Sequence, residues 1–533
     1  MTTVLCTKNY KDFTVRIQET DTTIATIAGA KNVNKCLPGD TVTVTETGCV
    51  LLKRAQHKPI AGLIELNSKV KYGFTSRNTP IYLFTPFNEA YPPFIVGCSE
   101  RDTSINRLGL ITFDTWTDTY PRGLLQRLLD TEEEALFWTH SPAACEKYKG
   151  PIPAADSISN RRLLPQPTFH IDPVGCIDVD DVLTLESLND RTYVTITIAD
   201  VAHVIHPVTP LDMRAAAIAQ TFYQPTSNKP MFPRELSEDL LSLKPSSIHK
   251  AGLSLRFPLD DPSQVEWFES AVPTTTTYTY ESVYKNQSLC TQLKQMASAL
   301  NEPTDDSHVW IEIAMKFYNT EAAKMLKAHS TGLLRCHKAP DKAKLDKYMQ
   351  IDPALKFLAY TSATYVSSAE NTGHWGLSAE AYCHASSPIR RYADLINQRA
   401  IKAILNKTPL PPAATPHNLN RVSKAAKQHD RDYIFMSAIR AAPSSTVGGQ
   451  IVTIKPTAKD TTIAVYVAEW SLIVKLHYSP GPEPDTVMSK DETQVFAIKE
   501  GQQIVLAYSA DLKARSWKKR MVLRLSPSTT TKN

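Results

Sequence analysis

Phe169-His-Ile-Asp172-Pro-Val-Gly-Cys-Ile-Asp178-Val-Asp180-Asp181 packs four carboxylates into ten residues and runs directly into Val182-Leu-Thr-Leu. Like charges this close raise one another's pKa, so such a cluster is stable only if cations sit among the groups or water dissolves them. Strand-like apolar runs on both sides, Thr168-Phe-His-Ile and Tyr193-Val-Thr-Ile-Thr-Ile, favour burial; a solvated acidic loop is the plainer alternative. On a single strand Asp178 and Asp180 share a face while Asp181 points the other way. Gathering all four therefore requires a loop, and Pro173 and Gly175 permit the bend. A calcium loop of the EF-hand type fails, because counting from Asp178 the sixth position is Leu183 and the twelfth Asn189. Oxygen-only ligands suit Mg²⁺, with Mn²⁺ as the alternative. Aspartates holding one or two such ions are what phosphodiester cleavage needs.

The 533-residue chain has room for two to four domains. Its composition, 42% hydrophobic and 21% charged, is that of a globular protein and excludes a mainly disordered one. A formal net charge of +5 is too mild to imply nucleic-acid binding by itself, so any basic surface must be local. Nine scattered cysteines without a CxxC pair argue against a disulfide framework and for a reducing compartment. The first residues contain no apolar signal core, and no apolar stretch is long enough to cross a bilayer. The expectation is a cytoplasmic protein without a membrane partner, monomeric in isolation.

Residues 1–130 alternate with period two, in Phe13–Ile17, Thr23–Ile27, Thr41–Thr45, Ile60–Ile64 and Ile81–Phe84, with turns at Pro38-Gly-Asp and Asn78-Thr-Pro. This predicts two small barrels, 1–49 and 50–130, of which the OB type is one option. Bases and aromatics recur through Lys69, Lys71, Tyr72, Phe74, Arg77 and Tyr82, which suits either stacked nucleobases or a barrel core. A linker with a short helix follows at 131–165. A central α+β domain runs over 166–441, counting a terminal helix from about 419, and contains a helix from Ser307 to Leu326 behind the caps Asp306 and Ser307. Strands return in a third barrel at 446–528. Before its last strand, Lys513-Ala-Arg515-Ser-Trp517-Lys518-Lys519-Arg520 sets bases around one Trp, reading either as a phosphate-contacting patch with a stacking ring or as a solvated loop.

A second motif lies at His384-Ala-Ser-Ser387-Pro388-Ile-Arg390-Arg391-Tyr-Ala-Asp394. Ser387 is a favourable N-cap and Pro388 fits a first helical position, which would put Arg390 in the first turn. Backbone N–H groups at a helix start, together with a guanidinium, make a phosphate site. The alternative is that Arg390 or Arg391 only pairs with Asp394 along the helix.

Ile-Asp-x5-Asp-x-Asp-Asp, then Ile198-Ala-Asp-Val-Ala-His203, Tyr223-Gln-Pro, Pro230-Met-Phe-Pro-Arg-Glu-Leu-Ser237, Gly373-His-Trp-Gly-Leu377 and Ser387-Pro-Ile-Arg-Arg occur in one order. That order resembles the ribonuclease II / ribonuclease R family. The resemblance implies two cold-shock-like OB barrels, a central RNB catalytic domain and a C-terminal S1-like OB barrel, in the style of the eukaryotic exosome nuclease without a PIN domain. It implies 3′→5′ hydrolysis of single-stranded RNA to nucleoside 5′-monophosphates. Asp172, Asp178, Asp180 and Asp181 would be the catalytic and metal-holding aspartates, and Arg390 would hold the scissile phosphate. Tyr223 would stack near the 3′ nucleotide, and Tyr280 and Glu312 would recognise ribose. His384, Ser387, Arg391, Arg515, Trp517, Lys518 and Lys519 complete the expected RNA contacts. An RNA-decay or helicase complex is the expected partner. Between Tyr280 and Glu312 the chain passes from one helix to the next, leaving no equivalent for the family's second clamp aromatic. A catalytically silent RNA-binding relative, or a structural subunit of an RNA-decay complex, is the competing reading.

Overall fold

The computed structural model describes residues 2–526 apart from 11, 19–21, 30, 155, 224–227, 413, 414 and 490. Two compact units emerge, one of residues 1–142, 340–360 and 425–533, the other of residues 143–339 and 361–424.

In the first unit, alternating runs form three small β-structures, of which the second is a closed barrel. The first is a five-stranded sheet in the order Thr23–Ala28, Asp12–Ile17, Thr3–Asn9, Thr41–Thr45, Gly48–Lys53. The last of these strands crosses residue 49, so the expected boundary at 49/50 cuts through a hydrogen-bonded ladder, in which Val44 pairs with Cys49 and Thr43 with Val50. The second structure is a closed barrel of Ile60–Ile64, Ile81–Pro86, Phe94–Gly97, Arg107–Thr115 and Arg122–Leu128. Tyr82, one of the rings open to either reading, lies in its core with Phe84 and Phe94. Phe74, by contrast, is exposed.

The segment expected as a linker is a packed element. Thr131 caps helix Glu132–His140 by accepting from the Glu134 N–H. Phe137 is buried against His429, with ring centroids 4.4 Å apart, and His140 donates to Asp432 over 2.8 Å. Residues 340–360 also depart from expectation. Helix Lys342–Ile351 and the turn after it leave the central domain and bury Tyr348 and Leu355 beside Val452 of the third β-structure, where Lys347 pairs with Glu500 at 2.6 Å.

The central domain carries a seven-stranded sheet in the order Arg162–Leu163, Glu266–Val272, Lys250–Pro258, Arg191–Ala199, Asp181–Leu188, Thr168–Asp172, Thr276–Thr279. Helices Gln287–Ala299 and Ser307–Ala328 cover it and bury Leu293, Met296, Trp310 and Tyr318 with Ile196, Leu253 and Phe257. Asp306 caps the longer helix by accepting from the His308 N–H at 2.8 Å. Of the apolar stripe expected on this helix, Ile311, Met315, Tyr318, Ala322 and Met325, the two methionines are only half-buried, and the buried face is wider, adding Trp310, Ile313, Ala314, Ala323 and Leu326. The long helix Pro416–Ala441 starts three residues before the expected position.

Asp40 shows how turn chemistry holds the first unit. Its fully buried carboxylate accepts from the Leu37 N–H at 2.7 Å, the Ala55 N–H at 2.9 Å and His57 Nε2 at 3.1 Å, and pairs with Arg54. Burial pushes this carboxyl upward, but the His57 bond, the two backbone N–H groups and the Arg54 charge outweigh it and hold it below its ordinary value. A depressed carboxyl contributes stability above the unfolded pKa and loses it as pH falls through the folded value. Asp40→Asn is therefore expected to cost about 2–4 kcal/mol at neutral pH by leaving the Arg54 guanidinium without its counter-charge. Hydrogen exchange of Thr3–Asn9 and Gly48–Lys53 measures this, and the gap between variant and parent should close below about pH 4.

Candidate functional site

The acidic loop arises because two strands pair only briefly. Thr168 and Phe169 pair with Thr184 and Leu183, after which Asp172 continues alongside Thr279 on the other neighbour. The ladder thus splits before Asp172 and Asp181, and residues 173–180 bridge the gap. Gly175, at φ +83°, supplies the left-handed position in the turn that closes Cys176 N–H onto Pro173 O at 3.1 Å. Buried Ser242 clamps the far side: its hydroxyl accepts from the Val179 N–H at 3.0 Å and donates to Ile177 O at 2.9 Å. The Leu243 N–H adds a bond to Val179 O at 2.9 Å, and Ala199 N–H one to Asp180 O at 2.8 Å.

Each aspartate meets a different environment. Asp172 Oδ2 accepts from His170 Nδ1 at 2.8 Å, and His170 Nε2 meets Thr277 Oγ1 at 2.9 Å. Asp178 accepts from the Tyr223 hydroxyl. Asp180, 4% exposed, accepts from the Ile389 N–H at 2.9 Å through Oδ1 and from Arg390 Nε at 3.0 Å through Oδ2. Half-buried Asp181 accepts no hydrogen bond among the described residues. Burial raises Asp180 to about 7 against the pull of Arg390, and burial with the adjoining charges of Asp172 and Asp180 raises Asp181 to about 8. These are hard oxygen donors under mutual repulsion, and a divalent cation would relieve exactly that kind of strain, so the donor chemistry fits Mg²⁺. Among the described residues, no group of three His, Cys, Asp or Glu side chains converges as a ready-made metal cluster.

The second motif differs from its sequence reading. The helix begins at Tyr392, with Arg391 in the N-cap position, so Ser387 is not an N-cap and Pro388 not a first helical residue. Residues 387–390 form a turn instead, closed by the Arg391 N–H on Ser387 O at 3.0 Å. Asp394 explains the shift: its buried Oδ1 accepts from the Ser387 N–H at 2.8 Å and from Arg391 Nη2 at 2.7 Å. Arg391 pairs with Asp394 and Ser387 is buried, so both residues help to hold the turn. The backbone donor freed by the turn, Ile389 N–H, meets an anion after all, the carboxylate of Asp180. His384 hydrogen-bonds the Tyr365 hydroxyl at 2.8 Å, and burial with the charges of Arg391 and Arg335 holds its pKa well below the usual range, so it offers no positive charge to a phosphate.

Tyr223 is 50% exposed, with its ring accessible beside the acidic loop. Tyr280 stacks on His308 with centroids 3.8 Å apart, and burial together with the charges of Asp172 and Asp181 raises its hydroxyl pKa, which places it beside the carboxylates. Glu312 lies one helical turn beyond His308, exposed and paired with Lys316 at 3.0 Å. Sequence reasoning missed His308, Ser242 and His170; of these only His170 had a signal, its position two residues before Asp172.

The expected patch before the last strand packs within the first unit. Trp517 is 2% exposed and faces Phe87 at 5.0 Å, Arg515 donates to Pro86 O and Tyr91 O, and Lys519 pairs with Glu89 at 2.7 Å. Trp517 is thus a packing ring and not a stacking platform, and Arg515 and Lys519 are held by protein acceptors; Lys518 remains exposed.

Residues 161–300 and 285–407 match the RNB domain family. The chain carries an RNB domain. The human exosome complex exonuclease RRP44 is 24% identical over 472 residues, covering 68% of this chain and 49% of RRP44. Ribonuclease R of Buchnera aphidicola subsp. Schizaphis graminum (strain Sg) is 24% identical over 345 residues, covering 48% of this chain and 47% of that enzyme. The chain spans about half the length of these relatives. In fold it matches Mycoplasma genitalium RNase R, solved in complex with ribose methylated single-stranded RNA, with TM-score 0.72 and 15% identity over 99% of this chain and 100% of that one. It also matches yeast Ssd1, a pseudonuclease, with TM-score 0.64 and 15% identity over 96% of this chain and 81% of that one. The fold is therefore that of OB-type β-structures together with an α+β RNB domain. Among the described residues, no helix is long and apolar enough to cross a membrane.

Ser242→Ala should leave the buried Val179 N–H unsatisfied and cost about 1–3 kcal/mol. The expected readout is faster hydrogen exchange at Val179, with the sheet strands keeping their protection.

Proposed function

We propose that the RNB domain hydrolyses single-stranded RNA from its 3′ end, releasing nucleoside 5′-monophosphates with divalent-metal assistance. The observation that carries this reading is Asp181, a carboxylate that accepts no hydrogen bond among the described residues, pressed by Asp172 and Asp180 and near the guanidinium of Arg390. Asp172 and Asp181 would hold one Mg²⁺ or Mn²⁺, with Asp178 beside a second. When bound, such ions supply an activated water and neutralise the leaving oxygen.

The chain's own residues account for the remaining work. Arg390 is held by Asp180 and by Ser387 Oγ at 3.0 Å, so its fork is oriented before substrate arrives. A phosphate drawn to that guanidinium would lie within reach of the acidic loop. Tyr223 offers a ring for the terminal base, while Tyr280 and Glu312 would recognise the 2′-hydroxyl that distinguishes RNA from DNA. Exposed bases of the β-structures outside residues 472–525 would add phosphate contacts.

A second reading, a silent RNA-binding protein, draws support from Asp180 and Asp178, whose hydrogen bonds to Arg390, Ile389 and Tyr223 tie up oxygens that a metal would need. The two readings part on digestion of a 5′-labelled single-stranded RNA with Mg²⁺. The expected result is progressive shortening from the 3′ end, a DNA strand of the same sequence spared, and loss of two or more orders of magnitude in rate for Asp180→Asn with RNA binding kept. Tight binding without shortening in Mg²⁺ or Mn²⁺ would establish the silent reading.

Tyr223 separates stacking from hydrogen bonding. Tyr223→Phe keeps the ring and releases Asp178, so its KM is expected within about threefold of the parent. Tyr223→Ala loses a stacked base worth about 1–3 kcal/mol, raising KM roughly tenfold or more.

A further inference from the structure

The third β-structure differs from the second at one joint. In the closed barrel the third and fifth strands pair in parallel, with Arg122 opposite Ile95 and Gly123 opposite Val96. The third structure runs in the order Val495–Ala497, Thr486–Met488, Leu472–Pro480, Thr461–Val467, Ser444–Pro456, Gln503–Ala510, Met521–Leu525. Here the corresponding strands, Leu472–Pro480 and Met521–Leu525, are joined by no ladder, as also holds for the first sheet. The Tyr478 hydroxyl spans the gap by accepting from the Leu525 N–H at 2.7 Å.

That gap holds a groove of about 500 Å³. Every residue from Ile473 to Tyr478 and from Met521 to Leu525 lines it, inward and outward side chains alike, so the groove runs along two strand edges and not over one sheet face. Its floor is apolar, formed by Val474, Leu476, Phe496 and Leu525. Its rim is cationic, with exposed Lys475, Lys518 and Arg524; Lys475 and Arg524 make no ion pair among the described residues. Asp491 is the acidic member of the rim, and its Oδ1 is occupied by Ser489 and Thr493.

We propose that this groove docks an extended acidic peptide of a partner protein, with apolar side chains at alternate positions, by adding it as the missing strand between Leu472–Pro480 and Met521–Leu525. Open strand edges present alternating N–H and C=O groups, and a peptide backbone answers both. A nucleic-acid backbone lacks the alternating N–H donors and C=O acceptors that a strand edge pairs with, and the aromatic rings in the groove, Phe435, Tyr478 and Phe496, are buried and offer no face for a base. The apolar floor takes every second side chain of the incoming strand, and the cationic rim selects acidic residues at the others. The chain's own last residues, Pro527 to Asn533, contain no acidic side chain and do not fit that rim.

The test uses the full chain and a fluorescein-labelled ten-residue peptide alternating Glu or Asp with Val or Leu. Controls are the same peptide with Lys at every acidic position and a labelled ten-nucleotide oligouridylate. The acidic peptide is expected to bind by anisotropy and to slow hydrogen exchange in residues 472–478 and 521–525. Lys475→Glu combined with Arg524→Glu should weaken it at least tenfold. Equal binding of the Lys peptide, or unchanged affinity in the double variant, would overturn the proposal. Protection of these strands by the oligouridylate and not by the peptide would make the groove an RNA site. Their protection in the unliganded chain with rising concentration would make it an interface between copies.

Discussion

A single buried carboxylate joins the two halves of the candidate site. Asp180 lies at the end of the acidic loop, and its two oxygens are taken by a backbone N–H and a guanidinium that lie 209 and 210 positions further along the chain. Charge buried in this way is stable only when its partners are fixed. The turn at 387–390 is fixed in its own right by Asp394, and the loop by Ser242, so each side is rigid before the two meet. Removing Asp394 would release the turn, and with it the orientation of Arg390, without touching any group that could contact substrate.

The same economy explains why the four aspartates differ. One is tied to an imidazole, one to a phenol, one to the guanidinium, and one has no hydrogen-bond partner among the described residues. Identical side chains acquire separate electrostatic characters from their neighbours, and the unpartnered one is where an external cation would gain most.

Much of this was legible in the residues. Period-two alternation marked most of the barrel strands it was asked to find, and the order of motifs pointed to the RNB fold. What escaped was decided at long range. Ser387 followed by Pro388 is a sound local signal for a helix start, yet Asp394 captured both the Ser387 N–H and Arg391, and the helix began at Tyr392. Lys513 to Arg520 has the composition of a nucleic-acid patch, and only the partner surface of Phe87, Glu89 and Glu132 reveals it as packing. Strand Gly48–Lys53 was lost because Gly48 and Cys49 weaken its alternation, although its pairing to Thr41–Thr45 leaves no doubt of the register. Ser242 carried no signal, since a lone serine acquires its role only from the loop folded against it.

The union of residues 1–142 with 425–533 in one unit bears on how the protein is made. Trp517 and Arg515 reach Phe87, Pro86 and Tyr91, so that surface is completed by a residue, Arg515, that lies 429 positions after Pro86. Synthesis at roughly 5–20 residues per second leaves the early barrels waiting tens of seconds for those partners. During that interval the apolar face of Phe87 is uncovered on the nascent chain, while the RNB domain, finished earlier, can already fold. The order of translation thus favours a central domain that matures before the surface around Phe87 is sealed, and it makes Arg515 and Trp517 the step on which that surface depends.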